Sequence, residues 1–144
     1  MKQPPRIKPP WRFFFGDESK KICIFLNFRN MRIAIIGSRE HGNINFEQEL
    51  KKRLDVCAND TIISGGARGI DTLAAQYARK RGMKLLEFRP DYATFRRGAT
   101  FVRNRLIVDM ADVVVAFWNG TSRGTKYTIE YAKKKYVPVI IIRI

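Results

Sequence analysis

The stretch Thr61-Ile-Ile-Ser-Gly-Gly-Ala-Arg-Gly-Ile-Asp71 does most to constrain what this chain can become. Thr61, Ile62 and Ile63 are β-branched and read as the end of a buried strand. Ser64, Gly65 and Gly66 break that run with small residues. Beyond Asp71, the residues Leu73, Ala74, Tyr77 and Ala78 recur at helical spacing. Strand, glycine turn and helix in this order leave two readings open. Glycine lets a backbone approach a ligand closely, and the first N–H groups of a helix favour an anion, so the turn suits a phosphate or a nucleotide. It also suits an ordinary strand-to-helix connection, since a lone glycine motif is weak.

The same alternation continues along the chain. Arg32 to Gly37 is a continuous apolar run that suits a central parallel strand, ending in Gly37-Ser38-Arg39. Phe46, Leu50, Leu54 and Cys57 follow at helical spacing, and Met83 to Phe88 reads as a third strand. Arg89 to Thr100 is expected to be a loop, residues 101–110 a short helix, and Val113 to Phe117 a fourth strand. Trp118 to Gly124 is expected as a polar loop, Thr125 to Lys135 as a helix and Pro138 to Ile142 as the last strand. Repeated strand–helix units imply an α/β fold with a mainly parallel five-stranded sheet and helices on both faces. Ligands of such sheets bind beyond the carboxyl ends of the strands. The loops expected there are Gly37 to Arg39, Ser64 to Asp71 and Trp118 to Thr125, and each carries glycine and arginine.

Charge supports an anionic partner. The net charge of +15 divides into +5 over residues 1–30 and +10 over residues 31–144, so it is not confined to a tail. Such an excess attracts nucleotides or nucleic acid, although a basic, solubilising surface would look the same. Residues 1–30 hold four prolines in the first ten positions, with Trp11 and Phe13-Phe14-Phe15 nearby, and read as a basic arm. Ile22 to Phe28 is a candidate extra strand. Cys23 and Cys57 lack metal-binding or redox spacing, which fits a reduced, cytoplasmic chain. No apolar run reaches the length of a membrane span, so no membrane partner is expected. No Ser/His/Asp order, metal cluster or phosphate-loop lysine is present, and His41 reads as a loop residue.

Taken together, Gly37-Ser38-Arg39, Ser64-Gly-Gly-Ala-Arg-Gly-Ile-Asp71, Arg103-Asn104, Ala111-Asp112 and Ala116-Phe-Trp-Asn-Gly-Thr-Ser-Arg-Gly-Thr125 closely resemble the YspA/YpsA-related SLOG family. That family is a branch of the Rossmann-like superfamily that includes the LOG and DprA proteins. The resemblance covers residues 31–144. It implies a three-layer Rossmann-like α/β/α domain with strand order 3-2-1-4-5, binding of a nucleotide or nucleotide-derived ligand, no required cofactor, and homo-oligomers. LOG-type enzymes cleave a nucleotide's N-glycosidic bond with an arginine, matched by Arg103, and a glutamate in a Gly-Thr-x-x-Glu motif. Thr128 stands where that glutamate would be, and Glu130 lies about 200° around the helix from it. Catalytic candidates are therefore Arg103, Asp71 and Glu130. DprA-type proteins bind single-stranded DNA. Arg68, Arg96, Arg97 and Arg123, with Trp118, Tyr92 or Phe95 for stacking, would suit that partner.

Each candidate then has a role. Gly65, Gly66 and Gly124 would offer N–H groups to phosphate, and Arg39, Arg68 and Arg103 would pair with it. Ser38, Ser122 and Thr125 would add hydroxyls. Ser64, Gly37 and Arg123 belong to the same turns. Asp71 would accept from ribose hydroxyls or cap its own helix. Asn104 would orient Arg103 or contact a base.

Overall fold

The structure, a computed structural model, describes residues 30–144. The N-terminal arm and the candidate strand Ile22 to Phe28 lie outside the described residues, apart from Asn30. The elements follow in the order β1 (Arg32–Gly37), α1 (Phe46–Arg53), β2 (Thr61–Ser64), α2 (Ile70–Lys80), β3 (Lys84–Glu87), α3 (Tyr92–Phe95), a 3-10 turn (Arg96–Gly98), α4 (Ala99–Met110), β4 (Val113–Trp118), α5 (Arg123–Lys134) and β5 (Val139–Arg143). All strand pairings are parallel, and the sheet order is β3-β2-β1-β4-β5.

Alternating residues of the central strands serve two cores. Ile33 and Ile35 of β1, with Val113, Val115 and Phe117 of β4, face α1 and α2. Ala34 and Ile36, with Val114 and Ala116, face α4 and α5. Strands covered on both faces need a continuous apolar run in place of an alternation, and that run marks them in the sequence. Phe46 stacks on Phe117 at 4.9 Å between ring centroids and meets Tyr77 edge-on at 5.8 Å. Burial of each such side chain contributes roughly 1.5–3 kcal/mol.

Two carboxylates stitch the amino edge of the sheet. Asp60, fully buried, accepts from the backbone N–H groups of Met31 and Cys57, both at 2.9 Å. Asp112 accepts from the N–H of Arg32 at 2.8 Å and pairs with its guanidinium at 3.2 Å. Both fix where β1 begins against its neighbours.

Two expectations need correction. The stretch from Arg89 to Thr100 is not one loop: it contains α3, the 3-10 turn and the first residues of α4. Asp91 caps α3 by accepting from Thr94 N at 3.1 Å, a signal too local to leave a helical period. Asp71 does not cap α2 either. That helix begins one residue earlier, with Gly69 at its cap and no side-chain cap bond.

Candidate functional site

Strand order reverses between β1 and β4, because the crossovers from β1 place α1 and α2 on one face and those near β4 place α4 and α5 on the other. At the carboxyl edge of that point lies an open cleft of about 480 Å³. Its walls come from three loops and one helix face: residues 36–40 after β1, 67–71 before and within α2, 119–128 through the start of α5, and the inner stripe of α4.

Of the sequence candidates, Gly37, Ser38, Arg39, Arg68, Asp71, Arg103, Asn104, Ser122, Gly124 and Thr125 line this cleft. Ser64, Gly65, Gly66 and Arg123 do not. Ser64 is buried below it, donating to Asp71 O at 3.1 Å and accepting weakly from Gly66 N. Gly65 is wedged between two side chains. A Cβ there would stand 2.7 Å from an Asp71 oxygen and 2.8 Å from the Arg103 guanidinium carbon. Glu130 points away, exposed on α5 and 3.9 Å from Lys126, so the structure does not bring that catalytic candidate to the cleft. Thr128 does line it, with its hydroxyl donating to Gly124 O at 2.8 Å. His41 lies outside the lining, its ring nitrogen 3.0 Å from Gly42 O.

Small residues set the loops in place. Buried Ser38 donates its N–H to Phe117 O at 3.0 Å, and its hydroxyl accepts from Asn119 N at 3.1 Å, tying the β1 loop to the β4 loop. Asn119 then accepts from the N–H groups of Thr121 and Ser122, shaping the approach to α5. Ser122 caps α5 through Thr125 N, and the indole of Trp118 donates to Ser122 O at 3.1 Å. The twelve-residue α5 thus directs its amino end, with Gly124, at the cleft. Around Gly124 a Cβ would meet nothing within 4 Å, so the backbone is uncrowded on that side.

Arg103 organises the other wall. It is buried, and its guanidinium donates to Gly65 O, to Phe88 O at 3.4 Å and, through Nε, to Asn104 Oδ1 at 2.8 Å. One side chain on α4 therefore holds the loops after β2 and β3. Burial pulls its pKa below the usual value, opposed by the nearby Asp71 charge. Arg39, Arg68 and Arg97 are exposed at the rim, so the cleft has cations at its mouth and one at its base. Thr100, Phe101 and Asn119 also line the cleft without having been assigned a role from the sequence, and Arg97 joins them from the set assigned to nucleic acid. Phe101 and Asn104 stand one helical turn apart, a spacing that a helical projection of residues 97–107 would have exposed.

Asp71 is also buried and accepts from Ala67 N at 3.2 Å. Burial pushes its pKa up from 3.8 to about 6, against the lowering pull of the Ala67 and Gly65 N–H groups and the Arg103 charge. A carboxyl whose folded pKa is raised holds its proton more tightly than the unfolded chain does. Its contribution to stability is complete below about pH 4 and is lost as the pH climbs through about 6. Asp71→Asn removes the ionisation while keeping an acceptor for Ala67. Urea unfolding from pH 4 to 7.5 should therefore show the variant gaining on the wild type by about 2–3 kcal/mol as pH rises. Parallel curves for the two proteins would refute the buried-carboxyl account.

Comparisons with known proteins agree with this architecture. The family model of the YspA, cpYpsA-related SLOG family matches residues 31–95. The Gene 61 protein of Mycobacterium phage D29 is 34% identical over 85 residues, 55% of this chain and 68% of that protein. Translation initiation factor IF-2 of Campylobacter fetus subsp. fetus is 30% identical over 111 residues, 76% of this chain but only 12% of that protein's length. Among solved structures, DNA processing protein A from Helicobacter pylori, described for its single-stranded DNA binding mode, superposes with a TM-score of 0.61 at 22% identity. That match covers 78% of this chain and 65% of the other. With the ordered glycine, arginine and asparagine motifs gathered around one cleft, this chain belongs to the YspA, cpYpsA-related SLOG family.

Proposed function

We propose that the chain binds a nucleotide or nucleotide-derived ligand in this cleft, as a sensor or binding module. The observation that carries the proposal is convergence. The amino end of α5 and the cations Arg39, Arg68, Arg97 and Arg103 all meet at the switch point of a parallel sheet. Helix N–H groups and guanidinium forks together suit phosphate oxygens. The apolar floor of Ile36 and Ile107 suits a less polar part of the same ligand.

Isothermal calorimetry with AMP, ADP-ribose and NAD tests it. Binding by at least one is expected, and Arg39→Ala with Arg68→Ala should weaken it at least tenfold, since each charged hydrogen bond is worth about 1.5–3 kcal/mol. Both arginines are exposed, so the double variant should fold normally. Absence of heat with every ligand, from folded protein, would remove the proposal.

A second reading, single-stranded nucleic acid, is favoured by one specific feature. Tyr92 and Phe95 are exposed beside Arg96 and Arg97, which pairs stacking surfaces with phosphate-binding charge. Gel shifts with single-stranded oligonucleotides should then weaken steeply as salt rises. Binding indifferent to salt would contradict it.

A further inference from the structure

We propose that Asn104 is the specificity-determining residue of the cleft, selecting a nucleobase that carries an oxo group over its amino counterpart. The inference rests on the nucleotide reading above and names the part of the ligand that the α4 wall reads.

A guanidinium can only donate hydrogen bonds. Because Arg103 Nε lies 2.8 Å from it, the Asn104 atom facing Arg103 must be the amide oxygen. The amide NH2 is thereby turned the other way and cannot flip without losing that bond. Asn104 is only 8% exposed, yet it lines the cleft. Among the described residues no acceptor faces its Nδ2. A buried donor without an acceptor is costly, so a ligand that supplies one gains more than an ordinary hydrogen bond would give.

The neighbours of Asn104 indicate which ligand group arrives there. One turn before it on α4 stands Phe101, which is 43% exposed and lines the cleft. Tyr127 meets that ring edge-on, with centroids 4.7 Å apart, and fixes its plane. One turn after it stands Ile107, with Ile36 of β1 also in the lining. An aromatic face, an apolar floor and one oriented amide suit a flat base better than a charged phosphate. The same lining offers the phosphate separate groups, Arg39, Arg68 and the amino end of α5. A base carbonyl such as the O6 of hypoxanthine or guanine, or the O4 of uracil, would accept from Asn104. With the same ring edge presented, adenine and cytosine would place their exocyclic amino group there, donor against donor.

The test is calorimetry on the full chain at one ionic strength, with IMP against AMP, UMP against CMP, and ribose 5-phosphate as a probe lacking any base. The wild type should bind IMP at least about tenfold more tightly than AMP, with the same sign for UMP over CMP. Asn104→Asp keeps an acceptor for Arg103 and turns an accepting oxygen to the cleft, so it should abolish or reverse that preference. Its melting curve establishes that it folds, and the wild-type comparison stands without it. Equal affinities for IMP and AMP, or ribose 5-phosphate binding as tightly as IMP, would overturn the inference and leave ligand binding intact. An unchanged preference in folded Asn104→Asp would overturn the assignment to this residue. Failure of every probe to bind would remove the nucleotide reading along with it.

Discussion

Arg103→Met is expected to destabilise the protein by about 3–5 kcal/mol, the usual consequence of removing one partner from a buried charged network. The substitution preserves much of the side-chain volume, so the loss is electrostatic and not a cavity effect. Without the guanidinium, Gly65 O and Asn104 Oδ1 lose their donor, and the loop after β3 loses its tie through Phe88 O. Asp71 loses the cation that lowers its pKa, which should then move further above 6. The sign follows from that shift: the damage is smallest in acid, where Asp71 carries a proton, and grows as the pH rises past neutrality. Adding Asp71→Asn should recover part of the loss, because the stranded charge is gone. The two sites should be non-additive by about 0.5–3 kcal/mol in urea unfolding. An Arg103→Met protein within 1 kcal/mol of the wild type at pH 7.5 would contradict this account of the network.

Gly69→Ala is expected to cost about 3 kcal/mol or more, from two independent causes. Gly69 has φ +85 and ψ −127, a region that side chains scarcely enter. A Cβ there would also stand 2.7 Å from the Cα and carbonyl carbon of Arg39, and backbone atoms cannot swing aside. Gly124→Ala is the contrasting control. It sits in open space inside the first turn of α5, where alanine is favoured over glycine by about 0.5–1 kcal/mol. Chemical denaturation of the two variants should therefore move in opposite directions. Similar midpoints would mean that the turn before α2 is looser than its geometry requires.

Much of this architecture was legible in the residues themselves. Strands buried on both faces announce themselves as runs such as Ile33 to Ile36 and Val113 to Phe117, and the alternation with helices leaves few topologies. The resemblance then supplied the strand order, which the residues alone do not specify. The start of α4 was illegible for a physical reason. Its inward face carries Arg103 and Asn104 among Ile107 and Val108, so buried polar groups blur the apolar stripe that marks a helix. Gly98 at its cap makes no side-chain bond, so no capping signal compensated. The sequence assigns Gly65, Gly66 and Gly124 to phosphate, yet Gly65 is small because side chains crowd it, as the Arg39 backbone crowds Gly69. Spacing along a chain reveals that a turn needs glycine, and only the fold reveals which neighbour requires it.

The carboxylates of Asp60 and Asp112 brace one rim of the sheet, and the cleft opens on the other. On the proposed ligand reading, these two braces lie at the pole opposite the one that recognises the ligand. Substitutions drawn at random should sort into two classes, some lowering yield and others altering selectivity. Arg103, which ties two loops together and also lines the cleft, is where the two classes should overlap.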